Sequence, residues 1–90
     1  MKAVWKYELE SPGTVSEFDL PECSRVLHVG EQYSKLVMWV EVDTSSTIVC
    51  RRVFHVVGTG WEGVIADDTA YVGTIQASNG LVWHVYEKLG

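Results

Sequence analysis

The chain predicts an all-β fold: a small antiparallel sandwich or barrel of about seven strands, with no substantial helix. Three observations carry the prediction. First, all three histidines share one local frame of valine, a bulky apolar residue, histidine and valine: Val26-Leu27-His28-Val29, Val53-Phe54-His55-Val56 and Val82-Trp83-His84-Val85. β-branched and aromatic residues fit a pleated, half-buried surface, so each tetrapeptide reads as a strand centre. Second, Lys35 to Asp43 alternates cleanly, with Leu36, Met38, Val40 and Val42 on one face and Val37, Trp39 and Glu41 on the other. Third, turn-forming residues recur at short intervals, and no segment carries a convincing helical pattern.

The elements follow in order. Ala3 to Leu9 is a half-buried strand with Ala3, Trp5, Tyr7 and Leu9 on one face. Ser11-Pro12-Gly13-Thr14 turns the chain, because proline presets one dihedral and glycine tolerates another. Val15 to Leu20 is a short second strand ended by Pro21, which has no N–H for a ladder. Arg25 to Glu31 is the third, and a compact polar connection, Glu31-Gln32-Tyr33-Ser34, leads to the fourth at Lys35 to Asp43. A Ser/Thr-rich turn over 43–47 precedes a long fifth strand, Ile48 to Val57. Gly58-Thr59-Gly60 breaks it and opens the longest irregular segment, residues 58 to 69. Ala70 to Gln76 is the sixth strand, with a bulge or close backbone approach expected at Gly73. Asn79-Gly80 predicts a two-residue type I′ hairpin into the last strand, Leu81 to Leu89.

Ninety residues make a single domain spanning 1–90, small enough that its core needs supplementing. Yet 47% of the residues are hydrophobic, with four Trp and four Tyr. That excess over the needs of a small core predicts a homo-oligomer. Net charge is −5 and the seven basic residues are scattered, which excludes a general binder of long nucleic acid. No stretch has the length or apolarity of a signal peptide or membrane span, so no membrane association is expected. Cys23 and Cys50 do not make a disulfide framework or a zinc site, and two free thiols are expected.

Several runs carry a resemblance across nearly the whole chain: Trp5-Lys6-Tyr7-Glu8-Leu9, the strand through Trp39 to Asp43, Phe54, Val57-Gly58-Thr59-Gly60, Tyr71-Val72-Gly73-Thr74-Ile75-Gln76 and Leu81-Val82-Trp83-His84-Val85-Tyr86-Glu87. The chain resembles a family of small all-β proteins encoded by tailed bacteriophages and prophages. The resemblance implies a phage accessory protein acting in the cytoplasm of the infected bacterial host. It implies no activity, since that family has no established catalytic motif to carry over.

Among candidate sites, three histidines invite a metal centre, but only if all three rings converge with partners holding their tautomers. The expectation is that His28, His55 and His84 are structural, with no metal and no cofactor. The serines at turns lack a nucleophile elbow, and Cys50 diverges from Arg51 along a strand, so no catalytic residue is assigned and the protein is read as a non-enzyme. Asp67-Asp68 reads as a turn or cap rather than a cation site. A ligand is best served by Gly58, Thr59, Gly60 and Trp61 with Arg51 and Arg52 of the preceding strand. Glycine-rich backbone can cradle an anion, a guanidinium pairs with phosphate, and an indole stacks on a base. The same stretch also reads as a plain turn with a tryptophan packed on the sheet. Trp5, Trp39 and Trp83 read as core residues, or as anchors of a subunit interface. The resulting expectation is a non-catalytic binding protein that neutralises a host component. Its partner is either a small nucleotide-like immune signal or a host defence protein. The alternative is a virion or assembly component.

Overall fold

A computed structural model describes residues 1–89 and contains seven strands: β1 (Lys2–Glu8), β2 (Val15–Pro21), β3 (Arg25–Gln32), β4 (Lys35–Asp43), β5 (Val49–Gly58), β6 (Thr69–Gln76) and β7 (Val82–Lys88). They form two antiparallel sheets, β1-β4-β3 and β2-β5-β7-β6. The fold is all-β, a small sandwich, and no helix occurs among the described residues. Period-two alternation is a local property, so each strand falls within a residue or so of where the sequence places it.

The inner faces hold the core. Leu20, Phe54, Val56, Ile75 and Val85 come from the four-stranded sheet, and Met38, Val40 and Val42 from β4 opposite. Full burial of each contributes roughly 1.5–3 kcal/mol. Ser16 is buried among them, and its hydroxyl is satisfied by the Glu10 N–H at 2.7 Å. Along one seam, Tyr7 of β1 meets Phe18 of β2 with ring centroids 5.2 Å apart. Along the other, β3 lies against β6 at Gly73. Gly73 follows a break in register between Tyr71 and Gly73, so both the bulge and the close approach are present.

Of the three tryptophans expected in the core, Trp5, Trp39 and Trp83, one packs there. Trp83 packs on the core, but Trp5 is 43% exposed and Trp39 points to the outer face of β4. Phe54 takes the central aromatic position instead. A second break in register, between Val26 and His28, leaves Leu27 exposed and puts His28 outward.

The β6–β7 hairpin differs from the expected two-residue turn. Ala77 N–H donates to the Leu81 carbonyl at 2.8 Å and Gly80 N–H to the Ala77 carbonyl at 3.0 Å. The loop is therefore three residues, Ser78 to Gly80, and only Gly80 takes a positive φ (88°). The Asn79 side chain accepts from Leu81 N–H at 3.0 Å, which favours the longer loop. The two-residue turn with both central residues left-handed lies between β3 and β4 instead, at Tyr33 (φ 52°) and Ser34 (φ 65°), bracketed by the Gln32–Lys35 pair. Neither residue favours that conformation, whereas Asn-Gly does. Tyr33→Asn with Ser34→Gly is expected to stabilise the fold by about 1 kcal/mol, raising the melting temperature by about 5 °C. A thermal melt showing no gain would mean that this turn is not strained.

Candidate ligand cleft

The cleft forms where β5 ends. Gly58 closes a turn through its carbonyl, which accepts from Trp61 N–H at 3.2 Å, and Gly60 supplies the positive φ (86°) the turn needs. This folds the Trp61 indole back onto Gly58. A Cβ on Gly58 would lie 2.6 Å from the indole Cε2 and Nε1, so only glycine leaves room for the ring. The register pairs Gly58 with Trp83 of β7, and the two indoles meet edge to face with centroids 5.8 Å apart. Leu81 and Val82 complete a cleft of about 290 Å³.

Thr59 gives the cleft its polar side. Its hydroxyl lies 3.3 Å from the Val82 carbonyl and 2.8 Å from Nε2 of His84. Nδ1 of His84 lies 3.1 Å from the Thr74 hydroxyl, which in turn meets the Tyr71 hydroxyl. A hydrogen-bonded row thus runs from β6 across β7 to the cleft. The imidazole is flanked by one hydroxyl at each ring nitrogen.

Of the residues singled out in the sequence, Gly58, Thr59 and Trp61 come together here, with Gly60 in the turn beside them. Arg51 and Arg52 do not. Arg51 is seven positions before Gly58 on an extended strand, roughly 23 Å away at about 3.3 Å per residue. Both guanidiniums are also already engaged. Arg51 lies on the outer face, 2.9 Å from Asp19 and 3.5 Å from Glu17, and its hydrogen bond to Asp19 raises its pKa above the ordinary value. Arg52 turns to the inner face, where Glu87 grips it at 2.6 and 2.9 Å, raising its pKa, and where it also donates to the Ser24 carbonyl. A phosphate site built from these arginines and the glycine turn is therefore not formed within one subunit. Trp83, Leu81 and His84 were missed in its place, because β5–β7 pairing is non-local and leaves no mark in either segment.

The remaining candidates stay apart. His28 sits on the outer face of the three-stranded sheet, whereas His55 and His84 lie on the outer face of the other, at positions paired with Tyr86 and Thr74. Among the described residues no three His, Cys, Asp or Glu side chains gather as a metal site. Asp67 and Asp68 lie in the exposed segment between β5 and β6, where the Asp68 carbonyl accepts from Leu89 N–H at 2.7 Å. Cys23 and Cys50 are free and exposed. Among the described residues no helix is long and apolar enough to cross a membrane.

The chain belongs to the family described as "Domain of unknown function (DUF7352)", whose model matches residues 1–90. No curated protein and no solved structure matches it.

Proposed function

We propose that this DUF7352 protein is a non-catalytic binding protein that neutralises a host component for a phage, in the cytoplasm of the infected bacterium, by holding a small planar ligand in the cleft at Gly58, Trp61 and Trp83. The observation that carries the reading is the paired indoles over a glycine floor, with the Thr59 hydroxyl and His84 imidazole at one side. An indole face suits a base or similar ring, and the Thr59 hydroxyl, whose proton goes to the Val82 carbonyl, keeps a lone pair to accept from the ring's edge. No arginine reaches the cleft, so the ligand part it suits is an uncharged ring rather than a phosphate. The phage setting rests on the resemblance of the sequence. Self-association is supported by the exposed apolar side chains of Val15, Ile48, Val49 and Tyr71.

A second reading, blockade of a host defence protein, is favoured by one feature. The segment after Trp61 exposes Val64 and Ile65 among Glu62, Asp67 and Asp68, an apolar centre with an acidic rim.

The cleft is tested by titrating the protein with free nucleosides and following tryptophan fluorescence. Trp61→Ala is expected to weaken binding by about tenfold or more, since one stacked base is worth about 1–3 kcal/mol. Because Trp61 is 43% exposed, the variant should melt close to the parent. Gly58→Ala should weaken binding as well, by driving the indole off its seat. Equal affinity in parent and both variants would remove the cleft as the site.

A further inference from the structure

We infer that the outer face of the three-stranded sheet is a second site, a platform for a mononucleotide whose base stacks beside Trp39, His28 and Tyr33 and whose phosphate is held by Lys6. The strand register places Lys6, Trp39 and His28 in one row across β1, β4 and β3. His28 stacks on Trp39 with centroids 5.8 Å apart and planes 28° from parallel. Gly30 lies beside this pair. A Cβ there would stand 3.4 Å from the indole and 3.5 Å from Nε2 of His28, so the missing side chain keeps the ring surface low and open. Flat rings on an open sheet face, next to a cation, are the components that hold single bases in other sheet-based binders.

Lys6 sets the size of the ligand. The other cations of this face are paired: Lys2 and Arg25 with Glu41, and Lys35 with Glu8. Lys6 has no carboxylate partner among the described residues. Its ammonium donates to the Gln32 amide oxygen at 2.6 Å and lies 6.0 Å from the centre of the Tyr33 ring. One uncompensated cation suits one phosphate. The flanking Glu8, Glu41 and Asp43, together with the net charge of −5, oppose a polyanion that must place phosphates along the whole face.

Tyr33 supplies an independent indication. It is 86% exposed and sits in a left-handed turn that a bulky side chain disfavours. Nothing in the packing of the sandwich requires a tyrosine there. The strained turn instead holds its ring 6.0 Å from the Lys6 ammonium, and retained strain of this kind is a mark of functional positions.

The test is a titration of the isotope-labelled full chain with AMP, adenosine and inorganic phosphate, read by amide and indole N–H shifts. AMP is expected to move the signals of Trp39, His28 and Gly30 and to bind about tenfold more tightly than adenosine, the increment expected for one charge-assisted contact. Lys6→Gln should erase that difference, and Tyr33→Ala should weaken AMP and adenosine alike. Trp61→Ala, which empties the other cleft, should leave the AMP shifts at Trp39 in place, so failure at one site does not imitate failure at the other. Equal affinity for AMP and adenosine, an unchanged preference in Lys6→Gln, or shifts confined to Gly58, Trp61 and Trp83 would each overturn the proposal.

Discussion

Gly73→Val is expected to destabilise the protein by about 3 kcal/mol, lowering its melting temperature by about 15 °C. The sign is informative because strand propensity argues the other way: valine is among the best strand formers and glycine among the poorest. What reverses the sign is the seam between the sheets. A Cβ on Gly73 would lie 2.6 Å from Cγ2 of Val29, a side chain that is only 4% exposed and has nowhere to move. The larger residue must therefore push β6 away from β3, opening the sandwich along the side where the sheets meet without ladder hydrogen bonds. Val29→Ala alone should cost about 2 kcal/mol for the cavity it leaves. Combined with Gly73→Val it should cost less than the sum, by about 1–2 kcal/mol, because the shortened side chain makes room for the new one. Urea unfolding of the four proteins gives the coupling directly. Strict additivity, or a more stable Gly73→Val, would show that the strands do not approach this closely.

Arg52→Ala should cost about 2–3 kcal/mol, while Arg51→Ala, one residue away, should leave the melting temperature unchanged. The two side chains emerge from opposite faces of β5. Arg51 shares the solvent-facing side with Asp19 and Glu17, each more than half exposed, where water replaces what is lost. Arg52 points between the sheets beside the Phe54 ring, 5.8 Å from its centre, and reaches the Ser24 carbonyl on the connection to β3. Removing it strands the Glu87 carboxylate and that carbonyl in a site that water only partly reaches, the two paired side chains being 23% and 18% exposed. Full burial would cost about 3–5 kcal/mol, and the residual exposure reduces this. Replacing both partners, Arg52→Met with Glu87→Leu, should recover most of the loss, since it leaves no unpaired charge behind. A single Arg52→Ala variant as stable as the parent would mean that the pair is solvated and contributes nothing.

Much of the candidate site was legible in part. The break at Gly58, the irregular segment it opens and the presence of Trp61 follow from glycine chemistry and the end of an alternating run, all local signals. The partners of that segment were not legible. Trp83 and His84 reach it only because β7 pairs with β5, and the sequence between them carries a whole further strand. The same limit explains the arginines. An Arg-Arg pair leading toward a glycine turn looks available until Asp19 and Glu87, 32 and 35 residues away, are brought beside it. The hairpin at Asn79-Gly80 shows a narrower limit: Gly80 was placed correctly in a left-handed turn, but the extra residue in the loop depends on the register in which β6 and β7 meet.

The sequence by itself determined the all-β class, the seven strands, which residues of β4 face inward, and the left-handed glycine of the last turn, Gly80. Each of these depends on a two-residue repeat or on the dihedral freedom of a single residue, and such information is complete within a few neighbours. The tertiary structure alone decided which strands pair, which charges cancel, that the histidines divide between two outer faces, and that Lys6, Trp39 and His28 share a row. These are contacts between segments tens of residues apart. They are set by how two sheets bury their apolar faces together, a balance over the whole chain that no single segment carries.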